Sequence, residues 1–154
     1  MISIPDKNKL LRYFSICNNW EEKYLYIMQL GKSLPPLPSG TRTKDYLISG
    51  CQSNVWIVIS ATDNGYIKLY GDSDAAIVKG LIAIVFIIYT GLTLTEIISL
   101  DISVLFNKLS LNKHLTPNRS QGLYAVVRAI RTKAAAFVAL QASQAQAKQI
   151  SINN

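Results

Sequence analysis

The chain has 154 residues, of which 49% are hydrophobic and 16% charged, with a formal net charge of +7. That length suits one domain whose core needs neither disulfides nor a structural metal, and the composition excludes a disordered chain. Cys17 and Cys51 are the only cysteines and His114 the only histidine, too few for a disulfide framework or a four-ligand zinc site of Cys and His.

Asp6 and Lys7 interrupt any early apolar stretch, so no signal peptide is expected and a reducing cytoplasm is the default. Residues 6–17 carry apolar side chains at 10, 11, 14 and 16, near helical spacing. Asn19 with Glu22 three residues on has the offset of a capping box, which opens a second helix that Gly31 is expected to stop. Residues 33–44 hold Pro35, Pro36, Pro38 and Gly40 and read as a loop.

Residues 46–49 form a short apolar piece. Residues 54–61 (NVWIVISA) are rich in β-branched and aromatic types, and residues 66–70 (YIKLY) alternate. Asp63-Asn64-Gly65 between the last two is a hairpin signal, so a small antiparallel sheet of about three strands is expected.

Asp72-Ser73-Asp74 predicts caps and negative charge at the start of a helix reaching Tyr89. Residues 80–95 lack formal charge, but the stretch is shorter than the roughly 20 residues of a membrane span and is broken at Tyr89-Thr90-Gly91. Thr93 and Glu96 form a further capping box before a short helix near 97–100, and another is expected near 104–109. Pro117 suits the first turn of a long last helix. Residues 141–154 are low in complexity and are expected to fray or stay disordered. The order of helices, hairpin and helices predicts an α+β domain over residues 1–140.

Cys51 stands between two strand-like segments, after a glycine and before two small polar residues. Gly50 admits backbone angles closed to other residues, so the turn can present the thiol outward. A free thiol near pKa 8.5 is mostly protonated at neutral pH, so sulfur chemistry there needs help from local charge or from a partner's site. The alternative is a buried, inert cysteine. On these residues alone both readings stay open.

The run Ser49-Gly50-Cys51-Gln52-Ser53-Asn54-Val55-Trp56-Ile57-Val58 resembles the signature of the SufE family. So do Gly71-Asp72-Ser73-Asp74-Ala75-Ala76-Ile77-Val78-Lys79-Gly80-Leu81 and His114-Leu115-Thr116-Pro117-Asn118-Arg119-Ser120-Gln121-Gly122-Leu123. Pro5-Asp6-Lys7 and Asn19-Trp20-Glu21-Glu22-Lys23-Tyr24-Leu25 fit as well, and the resemblance covers residues 1–138. It implies a SufE/IscU-like fold and a sulfur acceptor, not a stand-alone desulfurase. Cys51 would take persulfide sulfur from the cysteine desulfurase SufS, stimulate desulfuration of L-cysteine, and deliver sulfur to the SufBCD scaffold, through SufB, for iron–sulfur cluster assembly. The pyridoxal phosphate would belong to the desulfurase, so this chain is expected to hold no cofactor or metal. The parallel CsdA desulfurase is an alternative donor, and a homodimer stays open.

Gly50, Gln52, Ser53, Asp74 and Arg119 are the supporting candidates around the loop. Asp74 also reads as a first-turn helix charge and Arg119 as an ordinary surface charge. A guanidinium near the loop would hold a thiolate or persulfide anion. Cys17 reads as a packing residue, His114 as a surface or hydrogen-bonding one, and Trp56 and Phe86 as core. A different class of function, a basic module for nucleic acid or an acidic partner, is motivated by the +7 charge. The strands offer it only Tyr66, Lys68 and Tyr70, so no nucleic-acid or membrane partner is expected. The loop is expected to turn the thiol inward until a partner docks.

Overall fold

Helix α3 (Ala76–Tyr89) runs through the core, because its sequence AIVKGLIAIVFIIY is apolar around nearly its whole girth. Leu81 through Tyr89 are all buried. The structure is a computed structural model and describes residues 4–153. Around α3 stand α1 (Lys7–Ile16), α2 (Trp20–Lys32), β1 (Val55–Ala61), β2 (Ile67–Ser73), α4 (Leu94–Ser99), α5 (Ile102–Lys108), α6 (Leu111–His114) and α7 (Pro117–Asn153). The class is α+β, as the element order predicted.

Asn19 caps α2 by accepting a hydrogen bond from the Glu22 N–H. The reciprocal bond goes one residue further back, from the Asn18 N–H to the Glu22 carboxylate. Gly31 does not stop α2, which runs on to Lys32. Its role is spatial: a Cβ on Gly31 would lie 2.8 Å from the Gly80 nitrogen, and one on Gly80 would lie 2.0 Å from the Ile27 carbonyl oxygen. The two helices cross backbone to backbone at these glycines.

The sheet has two strands where about three were expected. β1 pairs antiparallel with β2, Val55 opposite Ser73 through Ala61 opposite Ile67. The third segment makes one isolated bridge, Leu47 to Trp56. It goes no further because residues 44–46 coil into a single 3-10 turn before it and Gly50 turns the chain at φ +87° after it. Val55 and Ile57 bury the inner face, and Gly71 leaves room there for the Phe86 ring. Phe86 is core as predicted. Trp56 is not, because strand alternation puts it on the outer face, where it is partly buried under the Arg42 guanidinium, 4.6 Å from the ring centre.

Asp72 and Ser73 end β2 instead of capping α3, whose cap position is Ala75 with no side-chain bond. Downstream the capping box of Thr93 and Glu96 forms in full, and Asp101 caps α5. Leu111, Leu123, Val126, Val127, Ile130 and Ala134 close the core from the last two helices. Where fraying or disorder was expected after Leu140, α7 continues to Asn153. That stretch is rich in alanine and glutamine, which favour helix even without packing. Among the described residues no helix is long and apolar enough to cross a membrane.

Candidate functional site: a cysteine loop over the start of α7

Residues 49–53 form a short loop whose two ends are fixed. On the entry side the Ile48 N–H donates to the Val55 carbonyl at 2.9 Å. On the exit side Asn54 is clasped three times. Its carbonyl accepts from the Ser73 hydroxyl at 2.7 Å and from the Asp74 N–H at 3.4 Å, and its N–H donates to the Asp74 carboxylate at 3.2 Å. Asp74 is therefore a clasp on the loop's base, not a helix-capping charge, and it lies outside the cavity below the loop.

Between these ends Gly50 takes φ +87°. A Cβ there would meet only Ala125, at 3.8 Å, so the angle and not the space calls for glycine. The turn directs Cys51 downward, the inward resting position expected of the loop, and not outward as the freedom of Gly50 alone would allow. Its thiol donates to the Gly122 carbonyl of α7 at 3.6 Å, and the side chain is partly buried. Gly122 lies directly against the sulfur: a Cβ at that position would make an ordinary contact with Sγ, at 3.5 Å.

Under the loop lies a cavity of about 120 Å³. Ile77, Leu81, Ile82, Leu123 and Val126 make its apolar wall, while Gln52, Ser53, Asn118 and Arg119 stand on the polar side. The Asn118 amide donates to Gln52 Oε1 at 3.4 Å. Arg119 lies in the first turn of α7, its N–H held by the Thr116 hydroxyl, and its side chain makes no ion pair among the described residues. Burial pushes the Cys51 thiol above its ordinary pKa, and the charge of Arg128 opposes that shift only in part. The resting thiol is accordingly neutral at pH 7, with a cation close enough to favour the anion when it forms.

Of the predicted residues, Cys51, Gln52, Ser53 and Arg119 converge on one cavity; Gly50 and Asp74 shape the loop from outside it. Asn118, Gly122 and Arg128 were missed. Positions 118 and 122 lie one turn apart on α7, and a glycine inside a helix was the available sign of a close approach. Cys17 lies elsewhere, at the end of α1 in a groove with Tyr13 and Tyr26. Burial and the nearby Glu22 charge raise its pKa, which keeps it a thiol. His114 stacks on Trp20, ring centres 4.5 Å apart. No group of three or more His, Cys, Asp or Glu is placed to hold a metal among the described residues.

Residues 8–134 match the family described as "SufE: Fe-S metabolism associated domain". Among solved structures, the solution structure of a hypothetical protein from Thermus thermophilus superposes with a TM-score of 0.70. The two chains are 18% identical, and the match covers 86% of this chain and 95% of that one. At that identity the likeness carries the fold alone.

Proposed function

The chain belongs to the SufE family, whose domain is associated with iron–sulfur metabolism, and on that premise we propose that Cys51 accepts sulfur as a persulfide and passes it on. The observation that carries this is the placement of Cys51 on a five-residue loop over a small, largely apolar cavity. A cavity of about 120 Å³ has room for one more sulfur atom, sheltered from bulk water and other thiols.

The chemistry is one bond exchange with no net oxidation. The Cys51 thiolate attacks the terminal sulfur of a donor cysteine persulfide. A new S–S bond forms to Cys51, the donor's S–S bond breaks, and the donor sulfur leaves as thiolate. Delivery repeats the exchange with Cys51 as the leaving group. Arg119 and Arg128 favour the anionic forms at each stage. Because the resting thiol points inward, the loop must turn out for in-line attack. Gly50 is the residue able to absorb that change, and among the described residues the hydrogen bonds to Gly122 and from Asn118 are those that hold the loop's tip.

The donor we assign is the cysteine desulfurase SufS, with CsdA as the alternative, and the recipient is the SufBCD scaffold in the cytoplasm. The pyridoxal phosphate stays on the desulfurase. The test is intact mass spectrometry after mixing the protein with desulfurase and L-cysteine. Wild type should gain one sulfur atom and Cys51→Ala none. Undiminished stimulation of the desulfurase by Cys51→Ala would sink the acceptor mechanism.

A further inference from the structure

The single bridge between Leu47 and Trp56 leaves most of one β1 edge without a neighbouring strand among the described residues. The Ile48 N–H donates to the Val55 carbonyl across that edge. Strand alternation therefore turns the backbone groups of Ile59 toward the same side. A groove of about 570 Å³ runs between this edge and α7. Leu47, Ile48, Ile57, Ile59, Ala129 and Ala136 give it an apolar floor. Arg128 and Lys133 stand on the α7 side, both exposed and both without an ion pair among the described residues. Among the described residues Asp45 is the one acid lining the groove.

The charge of that wall is not local chance. From Pro117 to Asn153 the chain has Arg119, Arg128, Arg131, Lys133 and Lys148 and not one Asp or Glu. The groove also reaches the site: Ile48 is three residues from Cys51, and Arg128 is the cation felt by its thiol. An open strand edge favours an extended backbone, an apolar floor favours apolar side chains at every second position, and a cationic rim favours carboxylates between them.

We propose that an extended segment of the sulfur-donating desulfurase, with alternating apolar and acidic residues, adds as a strand to the free edge of β1 in the groove against α7. The inference rests on the acceptor reading and specifies how the donor is held while Cys51 turns out. A bound strand would register the partner against Ile48, at the base of the loop, so that docking and thiol exposure share one element.

The experiment uses the full chain with a SufS-type desulfurase and L-cysteine, reading sulfur gain on Cys51 by mass. Thr132→Glu with Lys133→Glu reverses the rim at two exposed helix positions away from the thiol. The half-saturating desulfurase concentration should rise about tenfold. Glutathione persulfide, a small donor that needs no groove, should load the variant at the wild-type rate. In the wild-type complex, amide exchange across residues 57–61 should slow relative to the free protein. An unchanged half-saturation, or unchanged exchange at 57–61, overturns the strand-addition proposal and leaves the acceptor reading standing. Slowed exchange that needs only a higher concentration of this chain assigns the groove to a second copy and also overturns it. A wild type that gains no sulfur from the desulfurase removes the acceptor reading and the proposal with it.

Discussion

The α2–α3 crossing and the Cys51 loop both depend on glycine, for opposite reasons. At the crossing, Gly31 and Gly80 are needed for their lack of volume, since a methyl group on Gly80 would fall 2.0 Å from a backbone oxygen. Around the loop, Gly50 is needed for its backbone angle, and a methyl group at Gly50 or at Gly122 would make only ordinary contacts. One region is locked by packing on every side. The other is fixed at its ends and held at its tip by two weak contacts. A sulfur carrier needs this division, with a rigid frame that keeps the loop's base in register and a tip that can turn cheaply.

Gly80→Ala strikes the locked crossing directly. The new methyl group cannot be accommodated without moving α2, so a loss of about 3 kcal/mol is expected. In a chain of this size that corresponds to a Tm lower by roughly 10 °C. Gly122→Ala should instead keep or raise stability, because its methyl group makes an ordinary contact and alanine favours helix. Denaturant titration of both variants decides the matter. Equal losses would mean that the loop region is packed as tightly as the crossing.

A second measurement concerns the thiol. Burial raises the folded-state pKa of Cys51, so the neutral form is favoured below it. Alkylation by iodoacetamide should reach half its limiting rate at a pH above the ordinary thiol value of about 8.5. The linked stability is fully present below that value and falls as the pH rises through the folded-state pKa, because the unfolded chain loses the proton first. A half-point at or below the ordinary value would mean that the tip already stands in water, and the contrast with the buried frame would be lost.

The sequence carried much of this division and hid part of it. Local signals that act over one turn were legible: the Asn19 and Thr93 caps, the Asn-Gly hairpin, and Pro117 at the start of α7. The family resemblance picked out Cys51, and the glycine before it marked the turn. Residues whose meaning depends on a distant neighbour were not legible. Gly31 reads as a helix stop unless Gly80 is known to lie against it. Asp74 reads as a cap unless Asn54, twenty residues earlier, is known to bond it. Trp56 reads as core because hydrophobicity does not say which face of a hairpin meets the helices. The inward thiol was expected, but the group that holds it there, the Gly122 carbonyl seventy-one positions later, was not legible.

The smallest expected effect tests whether the frame extends to the outer face of the sheet. Arg42 bonds Asp72 and covers Trp56, and Lys79 adds a second ion pair to the same carboxylate at 3.4 Å. Burial raises the Asp72 pKa, but hydrogen bonds from Arg42 and the Ser73 N–H, with the Lys79 charge, outweigh it and hold the carboxyl below its ordinary value. A lowered folded-state pKa gives stability that is present above the unfolded value of about 3.9 and is lost as the pH falls through the folded one. Arg42 is more than half exposed, so solvent screening limits its share, and Arg42→Ala should cost less than about 1 kcal/mol at neutral pH. It should also shrink the stability lost on acidification below pH 4, because Asp72 then titrates closer to its unfolded value. The check is thermal unfolding of wild type and variant at pH 7 and in the acid range. An effect as large as that of Gly80→Ala would make the proline-rich loop part of the locked frame. An effect confined to a fraction of a kcal/mol would leave that loop outside the frame, with the Ile48–Val55 bond and the Asn54 clasps carrying the base of the Cys51 loop.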